Sequence, residues 1–299
     1  MKIPERDVKK RKTVILCWRN VIFFALSHIA GINGIYLVFT KAKLWSHRSY
    51  KAKLPLRIIL LVLYTASYQV GIYWVRDHRL HHRHCDTDAD PHNSKRGFFF
   101  SHIGWLLVRK HPEVGAKGRT TDLNDILSDQ LLKFQQKYYY YLVILLCYAI
   151  PTYIPTLWGE RAWTAFYVAA VLRHLCTAHM IFLINSAAHM FGTKPYDKNI
   201  CPVENKTVSL LATGEGFHNY HHTFPWDYKA AELGGYAFNF ATLFIDVMAK
   251  IGWAYDLKKV STKMIETRSK KTGDGTHSEW GWDEITLKPE NKRCAMILQ

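Results

Sequence analysis

The stretch YYYYLVILLCYAIPTYIPTLW, Tyr138 to Trp158, carries no charged residue and has tyrosines at one end and a tryptophan at the other. A backbone that crosses hydrocarbon must satisfy its own N–H and C=O groups. Such a segment is therefore restricted to a helix whose aromatic ends sit at the two interfaces. Apolar residues gather into four runs of this kind: Val21 to Phe39, Ile58 to Trp74, Tyr138 to Leu157 and Ala162 to Ala188. A span takes about 20 mostly apolar residues, which the first, third and fourth runs supply and the second does not. The chain reads as an all-α integral membrane protein of about three spans, near residues 14–39, 138–157 and 162–188. A soluble protein with long core helices is the alternative, and the uncharged, aromatic-flanked pattern speaks against it.

The third and fourth runs are joined only by GERA, residues 159–162, which predicts an antiparallel hairpin whose outer ends share one side of the membrane. Because the second run, Ile58 to Trp74, is short, residues 54–75 are expected at the interface. Residues 76–137 and 189–270 would form a cytosolic cap, so that 1–270 make one membrane domain and 271–299 a flexible tail. Within the cap, Ala237 to Tyr255 alternates apolar and polar residues at helical spacing, as a helix against the membrane or the core does. The formal charge of +16 suits a cytoplasmic membrane face, and with no nucleic-acid motif beside it, nucleic acid is not expected as a partner. Six cysteines without a C-x-x-C spacing read as free thiols, neither a disulfide framework nor a zinc ribbon. The basic N-terminus ahead of the first run reads as a signal anchor.

Two motifs carry the chemistry. RDHRLHH holds His78, His81 and His82, and GEGFHNYHH holds His218, His221 and His222, both with H-x-x-H-H spacing. On a helix, positions i, i+3 and i+4 share a face, so each motif presents three imidazoles as a compact fan. The hairpin brings the two motifs to one side of the membrane. A third contributor is NSAAH, Asn185 to His189, at the end of the fourth run, where an ionisable residue is a functional candidate. So many imidazoles without matching cysteines exceed the needs of one four-coordinate zinc and suggest two ions with open positions. Nitrogen-rich ligation suits iron, zinc or copper, and iron is the one among them taken here to activate oxygen, so a di-iron centre is expected. The acidic run DTDADPH beside the first motif could accept the second N–H of ligand imidazoles, or be a solvated turn. His28, His84, His92, His102, His111 and His174 lack the pattern and read as structural or solvated.

RDHRLHHRHCDTDADPHNSKRGFFFSHIGWLLVRKHP, NSAAHMFGTKPYDKNI and GEGFHNYHHTFPWDYKAAELG closely resemble the membrane acyl-CoA desaturases of animals, the stearoyl-CoA delta-9 type and its insect relatives. The resemblance runs from Trp18 to Gly275. It implies an enzyme of the endoplasmic reticulum that uses two Fe2+ ions, O2 and electrons from cytochrome b5 to put a cis double bond into a saturated acyl-CoA. The matching metal ligands are His47, His78, His81, His82, His189, His218, His221 and His222, with Asn185 acting through a water. CoA contacts would come from Asn20, Arg76, Asp77, Arg109 and Lys110, residue types suited to phosphate and pantetheine. Trp74 and Ile181 would line the acyl tunnel.

The chain departs from that family at its first box, which reads H-R-L-W-S-H there and has Ala42 and Lys43 in place of the first His-Arg here. It is as if one helix, about 20 to 30 residues at the usual span length, were left out together with a ligand. His47 is then the remaining half of a metal-binding box. Placing it on the cytosolic side forces the N-terminus into the lumen, although six Lys or Arg precede residue 14. IFLIN, Ile181 to Asn185, stands where the family has TWLVN, Tyr73 where it has a carboxylate, and CPVE at Cys201 resembles an insect delta-9 stretch with Cys for Asn. Three functions follow: an active desaturase, a silent variant that binds acyl-CoA or associates with intact desaturase, and a membrane fatty-acid hydroxylase.

Overall fold

The structure is a computed structural model that describes residues 49–68, 71–212, 214–232 and 239–280. The first apolar run lies outside these residues, and with it Asn20, Ala42 and His47.

The described chain is mostly helical. Helix α1, Leu54–Ala66, starts with Pro55 in its first turn, where the missing N–H costs nothing. One face buries Leu56, Leu60, Leu61 and Tyr64 while Ile58, Ile59 and Val62 stay exposed, so the helix is apolar on its outer side as well. Helix α2, Gly71–His84, follows at 86°. The expected interfacial segment 54–75 is thus a corner rather than one helix. Gln135 holds the corner by accepting from the Gly71 N–H (3.0 Å) and donating to Thr65 Oγ1 (2.9 Å). Tyr68 turns the chain there at φ 64°.

Among the described residues two helices are each long and apolar enough to cross a membrane: α3, Gln130–Thr156, and α4, Ala162–Met190. They form the hairpin that GERA predicted. Asp129 caps α3 by accepting from the Leu131 N–H (2.9 Å) and pairs with Arg57 of α1. Within α3, residues Ile144–Ala149 widen to a π-helix just before Pro151. Proline has no N–H for the carbonyl four residues back, and Arg173 of α4 takes that place by donating to the Cys147 carbonyl (2.8 Å). The same guanidinium donates to Ala169 O (3.0 Å) and to Ala66 O (3.2 Å) at the end of α1. One charged side chain at membrane depth thereby ties three helices and has its donors satisfied.

Helix α4 breaks at Ser186, whose backbone leaves the helical region at φ −113°, ψ −74°. Its hydroxyl donates to Phe182 O (2.7 Å) and accepts from His102 Nδ1 (3.0 Å). The cap follows with α5, Lys206–Leu211, α6, His218–Thr223, α7, Phe240–Lys250, and α8, Thr262–Thr272. Helix α7 lies inside the stretch whose helical spacing predicted it. Strand β1, Lys51–Ala52, pairs antiparallel with β2, Ala254–Tyr255, fastening the entry of α1 to the segment that follows α7. The main core joins Leu56, Leu60 and Leu61 to Ile72, Val75, Tyr228 and Ile245, so α1, α2 and the cap bury one another.

The assignment of residues from 271 onward to a flexible tail is corrected for 271–280. His277 is 4% exposed, meets Glu232 Oε2 at 2.7 Å and stacks on Trp280 at 4.6 Å. Burial of an aromatic pair and a hydrogen bond outweighs the polar composition that suggested disorder.

Candidate metal centre

The two H-x-x-H-H motifs meet as expected, but each fan is split between two groups. His81, His189, His218 and His222 bring one ligand atom each within 4.8 Å of one another, and so do His78, His82 and His221. In the first group His81 Nε2 faces His222 Nε2 at 3.2 Å and His218 Nε2 faces His189 Nε2 at 3.1 Å. In the second, His82 Nε2 lies 3.0 Å from His78 Nε2 and 2.9 Å from His221 Nε2. The reason is helical geometry. Residues i and i+4 point nearly the same way while i+3 is turned about 100° from i+4. Each group therefore takes the i, i+4 pair of one motif and the i+3 imidazole of the other: His218 and His222 with His81, His78 and His82 with His221. The break at Ser186 adds His189 to the first group.

Burial, reinforced by neighbouring imidazoles, holds His218 and His222 well below the usual histidine pKa, hence in the neutral form that offers a lone pair. The acidic run is not a solvated turn. Asp90 Oδ2 accepts from His81 Nδ1 at 2.7 Å and Asp86 Oδ2 from His189 Nδ1 at 3.0 Å, which leaves both Nε2 atoms for a metal. Asp90 also accepts from the backbone N–H of Asp86 (2.8 Å) and His92 (3.1 Å), and Asp86 from that of Ser94 (2.8 Å). Burial alone would raise both carboxyls; the hydrogen bonds and charges from His189 and His81 hold them well below the usual carboxylate range. The donor set fits two metal ions: the convergent atoms are all imidazole nitrogens, with His81 and His189 oriented by the carboxylates behind them.

A cavity of about 480 Å³ runs along the two groups. On α4 its wall is formed by His174, Ala178, Ile181 and Asn185, one face at helical spacing. At about 1.5 Å per residue, His174 lies roughly 16 Å below Asn185. Trp74 also lines the cavity and stacks on His78 at 4.4 Å. Ser67, Tyr68, Asp77, Trp105 and Leu106 line it as well, and the Tyr68 and His174 rings meet at 5.1 Å. Asp77 accepts from Arg76 (2.7 Å) and pairs with Lys110, and Arg109 beside them is exposed. Of the expected site residues, Asn20 and His47 lie outside the described residues; Trp74, Asp77, Ile181 and Asn185 line the cavity, and Arg76 and Lys110 pair with Asp77.

His92 and His174, read as structural or solvated, both line the cavity. His92 packs on His81 (4.4 Å) and Trp105 (5.5 Å), lines the cavity, and is pushed down to about 3, first by burial and then by His81. Trp105, Glu215 and Tyr68 also line it without having been expected. No local pattern marks these residues, although the face from His174 to Asn185 is readable from helical spacing.

Glu204 supports the second motif by accepting from the Tyr220 N–H at 2.8 Å, and burial pushes its carboxyl up to about 8. A folded pKa above the unfolded one contributes stability that is full below the ordinary carboxyl range and is lost as pH rises through about 8. The melting temperature of the wild type is expected to fall between pH 6 and 9 by more than that of Glu204→Gln. Parallel melting curves would show that Glu204 does not titrate in this way.

Comparison with known proteins agrees with this geometry. The family described as fatty acid desaturase matches residues 42–231. An acyl-CoA Delta-9 desaturase of Acheta domesticus is 51% identical, with 98% of this chain and 88% of the relative covered. That alignment runs over 318 positions, more than the 299 residues of this chain, so some positions have none of its residues. An acyl-CoA Delta(11) desaturase of Spodoptera littoralis is 51% identical over 95% of this chain and 90% of the relative. A stearoyl-CoA desaturase 5 of Bos taurus is 47% identical over 87% and 85%. With imidazoles in two convergent groups, an elongated cavity beside them and two membrane-length helices, the chain belongs to the fatty acid desaturase family, among the acyl-CoA desaturases of animals.

Proposed function

We propose that this chain introduces a cis double bond into a saturated acyl-CoA, at the delta-9 position, with O2 and electrons from cytochrome b5. It would act as a multi-pass protein of the endoplasmic reticulum membrane with the imidazoles on the cytosolic side. The observation that carries this reading is that imidazoles of both groups, His81 and His218 of one and His78 and His221 of the other, line one cavity together with Asn185. The family is a di-iron one, and two bound irons would supply the oxygen activation that an unactivated C–H bond requires. His78, His82 and His221 would hold one, and His81, His189, His218 and His222 the other.

The chain's own residues do the rest. Arg76, Lys110 and Arg109 at the entrance offer cations to the phosphates of CoA, and Asp77 fixes two of them in place. Trp74, Ala178 and Ile181 give an apolar wall that excludes water and holds the chain extended. Anchoring the head at the entrance and the tail in the cavity fixes which carbon lies beside the imidazoles, which is how position is selected. Ser67, Tyr68 and His174, polar residues that also line the cavity, would limit where an apolar tail can lie.

Expression in desaturase-deficient cells fed saturated acids of graded length tests the proposal. A monoene unsaturated at carbon 9 is expected. A bond at carbon 11 or 12 would overturn the delta-9 assignment, and no product at normal expression would overturn the activity. A silent, acyl-CoA-binding variant is the second reading. It is favoured by the three-membered second group together with Ala42 at the place of a family ligand.

A further inference from the structure

The two groups share a common plan, an i, i+4 pair from one motif and an i+3 imidazole from the other, and differ in what is added to it. Among the described residues the first group gains His189 and therefore has four nitrogens against three. It also has both carboxylates: Asp90 on His81 at 2.7 Å and Asp86 on His189 at 3.0 Å. Both acids are themselves fixed by backbone N–H groups. Burial differs in the same direction: in the first group His81, His189 and His218 are buried and His222 partly so, whereas in the second only His221 is buried and His78 and His82 are partly so.

We propose that the two ions are held unequally, the first group forming a tight, retained site and His78, His82 and His221 an exchangeable one that fills only as free metal rises. This rests on the two-metal reading of the proposed function. Carboxylates behind ligand imidazoles are worth about 10–100-fold in metal affinity, and here two of them and an additional donor favour the same site. His47 lies outside the described residues. A donor from there adds to one group but leaves the carboxylate difference intact. The consequence is regulation by metal supply. A chain carrying one ion would be stable, folded and inactive, and would become active on taking up the second.

The test is anaerobic equilibrium dialysis of the full-length, detergent-solubilised chain against buffered Fe2+, with bound iron measured by mass spectrometry. Two steps at least about 10-fold apart in free Fe2+ are expected, with one ion per chain remaining after brief exposure to a chelator. In His82→Asn the weak step disappears and the tight one remains; in His218→Asn the tight step is lost. Asp86→Asn moves the tight step toward the weak one without removing it, which keeps the proposal testable should a histidine variant not fold. Two ions bound with indistinguishable affinity, or loss of the tight step in His82→Asn, would overturn the inference and leave the desaturase reading standing. A folded chain that binds no iron would overturn both.

Discussion

A His82→Ala chain is expected to form less than about one hundredth of the wild-type monoene in desaturase-deficient cells, a loss beyond the 10–100-fold typical of groups behind a ligand. His82 Nε2 faces both His78 and His221, at 3.0 and 2.9 Å, and is the common neighbour of its group. Its removal leaves two imidazoles where three converged, too few to hold an ion against water. Alanine at this partly buried position opens little of the hydrophobic core, which lies around Leu56, Val75 and Ile245. Membrane extracts should therefore contain near-normal amounts of folded protein. Fatty-acid methyl esters by gas chromatography, normalised to protein level, provide the measurement. Wild-type product from His82→Ala would mean that the chemistry lies elsewhere.

Asp90→Asn is expected to cost about 10–100-fold in activity at limiting iron, and part of that loss should be recovered when iron is added. Asp90 touches no expected substrate atom. It acts through His81, whose Nδ1–H it accepts at 2.7 Å, both side chains being buried. An amide in its place keeps one oxygen, which can still accept from the His81 Nδ1–H and the Asp86 N–H, while the bond from the His92 N–H is given up. What it loses is the negative charge that raises the basicity of the ligand imidazole. A positioning role of this kind shows as an iron-dependent loss with an unchanged acyl-chain preference. A loss that added iron does not affect, accompanied by a lower melting temperature, would make Asp90 a structural residue only.

Much of the site was legible because metal ligation leaves a dense local signature. Three imidazoles at i, i+3 and i+4 are visible in seven letters, twice, and the short GERA link between two membrane-length runs implies that both copies return to one side. Asn185 was also legible, from NSAAH at the end of an apolar run, whereas Ile181 came only from the family resemblance; both line the cavity. His92 and His174 were not. Each is a single histidine whose role comes from a neighbour distant in sequence, the Trp105 and His81 rings for one and the Tyr68 ring, at 5.1 Å, for the other. The corner between α1 and α2 was missed because its cause, the buried amide of Gln135, lies more than 60 residues away.

The sequence by itself determined that this is a helical membrane chain with two matched histidine motifs on one side of a hairpin, because hydrophobic length and helical spacing are local properties. Only the tertiary structure decided how the imidazoles divide. Side chains at i+3 and i+4 of one helix point in directions about 100° apart, so a second helix must approach before they can be sorted into sites. That approach gives His81 to His218 and His222, gives His221 to His78 and His82, and turns DTDADPH from a plausible surface loop into the pair of carboxylates behind one group alone.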